Sequence, residues 1–488
     1  MTNTAAAPAK SNKSLFYYLN SVVTILIMFG FGYLPAIEPI TPLGMDVLGI
    51  FIALLYGWTF VDQIWPSILG MVALSLTHYM SLNQLMAAGF GSNTIMLMWF
   101  MLIIAALVDS AGVSKFLATY FITRKPVLGK PWVLITTFFF TTFIISAMTS
   151  TVPAIIVCWG ILYSIVKQLG YKAGDSFTSF MVVGVVFCCL IGLSLLPWKT
   201  VQMVVLGMFE TMAGYKIDYL KYVAVTFPVS IVAIILYVLV GKFIFKPDVK
   251  KLELVTEDSF DPNDLKIDFK QKIIIGLLVA LVFFLLIPSL LPGSWAVTKV
   301  LKGLGAHGIA FLVLGVLVFL RFDDIPMINI RKCCGKMQWD FIYLTAAMLP
   351  FANALNAEAT GINSFLIEKF NILFSGISPV LFIFLVIVLA MIATQFMNNA
   401  ICGGIMFPII YPFALAIDLD PGMITVLLIY CLVMAVLTPA ASPMAALMFA
   451  NTEWVSTREV YKYITPGILI VFVSVCVVGI PIAYMVFR

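Results

Sequence analysis

The sequence has 488 residues, of which 62% are hydrophobic and only 10% are charged, and its mean hydropathy is +1.09. Soluble domains carry about 25% charged residues, so this composition excludes a chain whose surface lies mostly in water. The net charge of +5 does not indicate a nucleic-acid partner, because basic residues in membrane proteins collect in cytoplasmic loops. We predict an all-α membrane protein with the lipid bilayer as its surroundings.

A run of about 20 apolar residues can cross the hydrocarbon core as a helix, and such runs follow one another along this chain. The first begins at Leu15. It is too long for a signal peptide and lacks a small-residue cleavage pattern, so we predict that it is retained. Hydropathy and helix start and stop signals predict eleven transmembrane helices, at about 15–35, 45–62, 65–81, 94–111, 177–213, 221–245, 271–291, 305–320, 339–356, 422–450 and 464–487.

Two further apolar stretches, 132–168 and 376–416, are too long for one span and are interrupted midway by small polar residues. We predict two re-entrant hairpins, each of which enters and leaves the membrane on one side. The spans 177–213 and 422–450 contain prolines at mid-length. Proline has no N–H and disrupts a helix, so we predict a broken helix in each.

The chain contains two similar halves. Residues 111–117 resemble residues 360–366 at an offset of 249, and the same offset carries Thr149-Ser150-Thr151 in the first hairpin onto Asn398-Asn399-Ala400 in the second. An odd number of crossings in each half inverts the second copy, which is the inverted-repeat plan of secondary transporters. The predicted units are an N-terminal segment with the first helix at 1–43, repeat 1 at 44–245, a cytoplasmic linker at 246–270 and repeat 2 at 271–488.

Lys and Arg accumulate on the cytoplasmic side of membrane proteins and therefore predict orientation. With the N-terminus in the cytoplasm and the C-terminus outside, 21 of the 28 basic residues are cytoplasmic and six are outside. The remaining one is Lys199, within the broken span 177–213. We predict a multi-pass protein of the cell membrane, plasma or inner, with a lysine at membrane depth.

The polar residues at the hairpin midpoints form the predicted substrate site. A helix that begins at such a tip presents unpaired N–H groups and the positive end of its dipole, which suits an anion. The predicted contacts to a small anionic substrate are Thr149, Ser150, Thr151, Asn398 and Asn399, supported by Thr438 in the second broken helix. The alternative is that these side chains hydrogen-bond their own helix or a neighbouring one.

The two breaks, Leu195–Thr200 and Leu437–Pro443, free backbone carbonyls. Such carbonyls and helix C-terminal ends coordinate sodium in inverted-repeat transporters, and a simple kink is the alternative. Lys199, inside the first break, has three open roles: pairing with an anionic substrate, taking the place of a sodium ion as a built-in cation, or snorkelling to an interface. The nearest acidic residue in sequence is Glu210, so no internal ion pair is expected.

The order of hairpin, broken helix and second hairpin, with Ser150 at one tip and Asn399 at the other, resembles the divalent anion/sodium symporter family of the ion transporter superfamily. The resemblance covers essentially the whole chain. It implies an elevator-type homodimer in which a scaffold domain holds the dimer and a transport domain slides. It also implies substrate carboxylates at the tips and sodium sites formed by the tips and the broken-helix loops, here Ser150, Asn399, Thr438, Ala441 and Ser442.

The sequence departs from the family's pattern, which has Ser-Asn-Thr at each tip. Neither tip has that triplet here, and Pro197-Trp198-Lys199 stands where the family has a Gly-Thr-Pro-Pro-Asn type of loop. A literal Ser92-Asn93-Thr94 begins a span, but its counterpart at the offset of 249 is Phe341-Ile342-Tyr343, so we predict no role for it in the substrate site. These departures leave sodium-independent exchange and proton coupling open beside sodium symport.

The sequence thus predicts a secondary active transporter of a small organic anion, most simply a di- or tricarboxylate such as citrate. No cofactor is expected beyond Na⁺ as a coupling ion, and no metal site. One alternative is an exporter or antiporter of another branch of the superfamily, whose cation-carrying members need an intramembrane carboxylate that is not evident here. The other is a membrane-embedded enzyme, which needs titratable or metal-binding groups that the predicted spans almost lack.

Overall fold

The computed structural model describes residues 15–124, 126–256, 266–322, 325–374 and 376–487. Apart from one two-residue antiparallel pair, β1 (Arg321–Phe322) with β2 (Ile325–Pro326), the regular structure within these ranges is helical. The predicted all-α membrane fold is confirmed. Residues 1–14, residues 257–265 of the predicted linker and Arg488 lie outside the described residues, and so do the predictions that concern them.

The helices alternate with short connections along the described part of the chain. In chain order they are α1 (Leu15–Gly30), α2 (Pro42–Phe60), α3 (Ile64–Leu76), α4 (Leu82–Ala88), α5 (Asn93–Ser110), α6 (Val113–Ile122), α7 (Pro131–Met148), α8 (Thr151–Gln168), α9 (Ser176–Leu195), α10 (Thr200–Ala213), α11 (Tyr219–Val240), α12 (Phe269–Leu290), α13 (Ala296–Phe319), α14 (Ile330–Cys334), α15 (Trp339–Asn356), α16 (Ile362–Phe374), α17 (Pro379–Ala393), α18 (Asn399–Ala416), α19 (Pro421–Leu432), α20 (Pro443–Ala450), α21 (Thr457–Ser474) and α22 (Ile480–Phe487). A π-helical turn at Val475–Gly479 joins α21 to α22.

Eleven helical segments in the described ranges are long and apolar enough to cross a membrane. This number equals the predicted one, but three members differ. The hairpin helices α7, α8 and α18 are among the eleven, whereas the predicted spans 65–81, 339–356 and 422–450 are not. α3 and α19 have only 13 and 12 residues, fewer than the roughly 20 that a full crossing takes.

Both predicted broken spans are interrupted next to their prolines. In the first, α9 ends at Leu195 and α10 begins at Thr200; in the second, α19 ends at Leu432 and α20 begins at Pro443. A further break lies inside α13 at Gly305, whose φ of 64° and ψ of 175° suit only glycine. The predicted span 305–320 begins at this residue, while the helix itself begins earlier, at Ala296.

The helices pack in two groups. The scaffold group consists of α1–α5, α12, α13 and α15, and the hairpin group consists of α7–α11 and α17–α21. The groups meet where α10 packs on α5 and α15, where α18 packs on α2 and α15, and where α11 packs on α12. α6 packs on α5 of the scaffold group and on α7 and α8 of the hairpin group, and α16 packs on α15 and on α18. Each of these two helices therefore reaches from one group to the other.

The centre of the hairpin group is α9, which is apolar on every side. Every residue from Phe177 to Leu195 is buried, and none of them is charged. A helix that is hydrophobic all round is stable only when other elements surround it, and α9 packs against α7, α8, α11 and α21. The rings of Phe180 and Phe187 stack on Tyr237 of α11, which ties the two helices together.

Candidate substrate-binding site

A cavity of about 160 Å³ lies between the two hairpin tips and the two breaks. Residues of α5, α12 and α15 close it from the scaffold group, mostly with apolar side chains such as Met98, Met101 and Leu281. The polar residues that line it include most of the predicted site: Thr149, Ser150, Thr151, Lys199, Asn398, Asn399 and Ser442. Segments that are about 250 residues apart in the sequence therefore meet around one space.

The first tip joins α7 to α8. Ser150 is the N-cap of α8, in an extended conformation, and its side chain forms no capping hydrogen bond. The first N–H groups of a helix have no intrahelical acceptor, so the start of α8 presents donors and a positive dipole end. Thr149 uses its hydroxyl within its own helix, donating to Ile145 O at 2.8 Å. The intrahelical alternative thus holds for Thr149. The hydroxyl of Thr151 lies 3.5 Å from Ser146 Oγ in the same hairpin, so Ser150 is the residue of this tip best suited to bind an anion.

Lys199 contacts the other helix of the first tip, at the end of α7. Its Nζ donates to Ser146 O at 3.0 Å and to Thr149 O at 2.5 Å. These carbonyls belong to the C-terminal end of α7, which carries the negative end of the helix dipole. The ammonium group therefore points into the hairpin and not toward a membrane interface. This direction argues against the snorkelling alternative. The ammonium group occupies the kind of carbonyl-lined position that a sodium ion takes in related folds.

The carbonyls at the end of α9 are not free. Gln202 Nε2 donates to Leu193 O at 2.5 Å, Tyr222 Oη to Ser194 O at 2.9 Å, and Thr226 Oγ1 to Leu195 O at 3.0 Å. Of these three residues only Leu195 belongs to the predicted break 195–200, and there the prediction of a free carbonyl is wrong. Neutral donors from α10 and α11 satisfy all three carbonyls, because an unpaired carbonyl at this depth would be costly.

The second tip is built by asparagine. Asn398 is the N-cap of α18, and its Oδ1 accepts a hydrogen bond from Ala400 N at 2.9 Å. Asn399 follows as the first helical residue and is buried beside the cavity. The side chain of Asn398 is thus engaged in capping, while that of Asn399 is placed to meet a ligand.

Gln395, which the sequence interpretation missed, holds the second break to the second hairpin. Its Oε1 accepts from Val436 N at 2.9 Å and Leu437 N at 2.8 Å, and its Nε2 donates to Met391 O and Met434 O, both at 2.8 Å. The position corresponds to Ser146 at the offset of 249. A glutamine in an otherwise apolar run was the signal that could have found it.

Two predicted residues do not reach the cavity. Thr438 donates its hydroxyl to Gln395 O at 2.5 Å, and Ala441 is fully buried. Thr438 therefore supports the second tip through Gln395 and does not line the space that a substrate would fill. Ser442 does line it, although its hydroxyl donates to Ala435 O at 2.6 Å.

Asp109, at the end of α5, lies beside the first tip, and its Oδ1 accepts a hydrogen bond from Ser150 N at 3.4 Å. The ammonium groups of Lys199 and Lys336 are close enough to attract this carboxylate. Asp109 forms no ion pair with Lys199 among the described residues, but it is a carboxylate near that lysine which the sequence interpretation missed. Asp109 is 90 residues away in the sequence, so nearness along the chain could not reveal it. Its presence in the predicted span 94–111 was the available signal.

The triplet Ser92-Asn93-Thr94 serves another purpose. Ser92 is the N-cap of α5 and accepts from Ile95 N at 3.2 Å, and neither it nor the next two residues line the cavity.

We expect Ser92→Ala to lower the stability by about 1 kcal/mol, as loss of a cap does, and to leave substrate affinity unchanged. Thermal unfolding with and without substrate would measure both, with Ser150→Ala as the matched tip variant, for which we expect roughly tenfold weaker binding. A large affinity loss in Ser92→Ala would contradict this prediction.

The sequence is similar to known transporters. A family model described as "Citrate transporter" matches residues 47–429. The sodium-dependent dicarboxylate transporter SdcS of Staphylococcus saprophyticus is 21% identical over 371 residues, which cover 72% of this chain and 68% of that protein. Solute carrier family 13 member 1 of Mus musculus is 27% identical over 195 residues, covering 36% of this chain and 32% of that protein.

The fold resembles a solved transporter structure. The YdaH transporter of Alcanivorax borkumensis superposes with a TM-score of 0.59 at 12% identity, over 82% of this chain and 88% of that one. The resemblance to the divalent anion/sodium symporters is thus confirmed, and the protein is a membrane transporter and not an enzyme. The match of the family model to most of the sequence shows that this chain belongs to the citrate transporter family.

Proposed function

We propose that this protein carries a small di- or tricarboxylate, such as citrate, by sodium-independent exchange. The observation that carries the proposal is the pair of hydrogen bonds from Lys199 Nζ to the carbonyls of Ser146 and Thr149. The ammonium group at the C-terminal end of α7 supplies the positive charge that a bound sodium ion would otherwise bring. Beside it, the start of α8 offers N–H donors to a carboxylate, one of which, Ser150 N, is held by Asp109 in this structure.

The position of Lys199 suits both of its candidate roles, which are pairing with the substrate and replacing a sodium ion. The ammonium group lines the cavity and at the same time neutralises the helix end behind the tip. A substrate carboxylate at Ser150 and Thr151 would therefore meet a positive charge without the need for a cation from solution. A second carboxylate of the same substrate would be held by Asn399 at the second tip.

The second half differs, because no lysine stands at its tip. Here Thr438 donates a neutral hydroxyl to Gln395 O, the counterpart of Ser146 O. Among the described residues, no hydrogen bond reaches the carbonyls of Val436 and Leu437. A sodium symporter with a single ion at this break is the second candidate function, favoured by these carbonyls and by the sodium-dependent dicarboxylate transporter among the relatives.

The motion and the assembly are parts of the same proposal. The separation of the helices into a scaffold group and a hairpin group supports an elevator movement of the latter. A homodimer held by the scaffold group and a cytoplasmic N-terminus complete the proposal. The carboxylate of Asp109 favours an antiporter of another branch of the superfamily, but the sodium-dependent dicarboxylate transporter among the relatives favours an anion carrier.

Thermal stabilisation of the purified protein tests the substrate and the coupling together, because a ligand that binds the folded state raises the unfolding temperature. We expect stabilisation by di- and tricarboxylates that is the same in sodium and in choline salts. A sulfonate and sulfate serve as matched anions. Stabilisation only in the presence of sodium would favour the symporter, and stabilisation by sulfate but by no carboxylate would overturn the proposed substrate class.

A further inference from the structure

Asp109 bridges the two helix groups. It belongs to α5 of the scaffold group, whereas its donor, Ser150 N, belongs to the first tip in the hairpin group. The same donor and the nearby charge of Lys199 are what an anionic substrate would use at this tip. A side chain of the scaffold therefore occupies a place that suits a substrate carboxylate.

The second half has a carboxylate at the equivalent position. The offset of 249 carries Asp109 onto Glu358, and it carries Gly112 onto Gly361. The two glycines share a left-handed backbone, with φ of 70° and 65°, and each directly precedes the helix that reaches from one group to the other, α6 or α16. Both acidic residues thus stand three positions before the same turn.

The surroundings of the two carboxylates differ in this structure. Asp109 is half-buried against the first tip, whereas Glu358 is exposed, and its side chain forms no hydrogen bond or ion pair with the described residues. The residue that corresponds to Ser150 is Asn399. In inverted-repeat transporters, one half moves against the other to alternate access. In the opposite end state, the equivalent approach would bring Glu358 to Asn399.

We propose that Asp109 and Glu358 are alternating latches, each of which holds one substrate-free end state by occupying the N–H donors of a hairpin tip. A substrate carboxylate displaces the latch when it binds, and only then is the hairpin group free to move. This inference rests on the proposed exchange function and deepens it. An empty carrier stays latched on either side, so each return journey requires a second anion.

Removing one latch should therefore free the empty carrier in one direction only. We expect Asp109→Asn to raise net flux, without anion on the far side, about tenfold in one direction, since the charged hydrogen bond that held the carrier is lost. Glu358→Gln should raise net flux in the opposite direction. With saturating anion on both sides, the rate of exchange should stay as in the unchanged protein, because exchange needs no empty movement.

The measurement compares right-side-out and inverted membrane vesicles from the same cells, loaded with citrate or left empty. Asp46→Asn is the matched control, because Asp46 is a half-buried carboxylate of α2 that does not line the cavity between the tips. Asp109→Ala removes the acceptor as well as the charge, and it must raise net flux in the same direction as Asp109→Asn. Equal net flux in all variants, or an increase in the same direction for Asp109→Asn and Glu358→Gln, would overturn the latches.

Thermal stabilisation by citrate separates this failure from failure of the proposed function. If citrate stabilises the unchanged protein and exchange is measurable, but the net fluxes of the variants do not diverge by direction, the latch proposal falls and the exchange function stands. If citrate neither stabilises the protein nor exchanges, the proposed function falls, and the latch proposal falls with it.

Discussion

Lys199→Ala is expected to lower kcat/KM for the carried anion by roughly 100-fold, because loss of one charge-assisted interaction between the ammonium group and the anion costs about 3 kcal/mol. The loss exposes the carbonyls of Ser146 and Thr149 at the end of α7. A cavity that held a fixed positive charge becomes neutral beside a helix end of negative dipole. Anion binding should weaken for both reasons.

The ion dependence of the remaining transport separates the two functional roles of Lys199. If the ammonium group replaces a sodium ion, Lys199→Ala frees a carbonyl-lined position, and transport should become dependent on sodium. If it only pairs with the substrate, KM should rise without any new sodium dependence. Uptake measured over a series of sodium concentrations decides between them.

Lys221→Ala is the matched control for this experiment, since Lys221 is exposed at the start of α11. Its removal should change none of these quantities. Unchanged rate, affinity and ion dependence in Lys199→Ala would contradict both functional roles of Lys199.

Gln395→Leu is expected to abolish transport and to lower the unfolding temperature by several degrees. The substitution leaves Val436 N and Leu437 N without their acceptor, and each buried unpaired donor costs about 1–3 kcal/mol. It also releases Met434 O. The second break should then lose its fixed position relative to the second tip, because Gln395 is its anchor.

Unfolding temperature and citrate binding together test the role of Gln395. Gln84→Leu serves as the matched control, because Gln84 takes part in a capping box at the exposed start of α4 and reaches no cavity. We expect the control to lose no more than about 1 kcal/mol and to bind citrate normally. Normal citrate binding in Gln395→Leu would show that the break keeps its position without the glutamine.

Much of the fold could be predicted, because a lipid bilayer requires apolar helices of a given length. Runs of apolar residues, proline interruptions and the constant offset between Ser150 and Asn399 are all visible in the sequence. The short helices α3 and α19 were harder, since hydropathy reports that a stretch is buried but not how many of its residues are helical. The boundaries at Gly305 and Pro443 follow from backbone restrictions that the sequence does display.

The site could be predicted less completely than the fold. Residue type and symmetry identified both tips, but whether a side chain is free or engaged depends on its neighbours. Thr149 and Thr438 bind backbone carbonyls, while Ser150 makes no capping bond. The contact of Asp109 with the first tip could not be predicted, because it depends on how α5 packs against the hairpin group.

The enclosure of α9 determines what a spectroscopic probe on this protein can report. With every residue from Phe177 to Leu195 in contact with other helices, α9 offers no site for a label, and its amides should be among the slowest in the chain to exchange with deuterium. Because the same helix touches α8 and α21, labels placed on those two neighbours should keep a constant separation while transport proceeds. A pair of labels on them can therefore serve as an internal distance standard, against which displacements relative to α2 are measured.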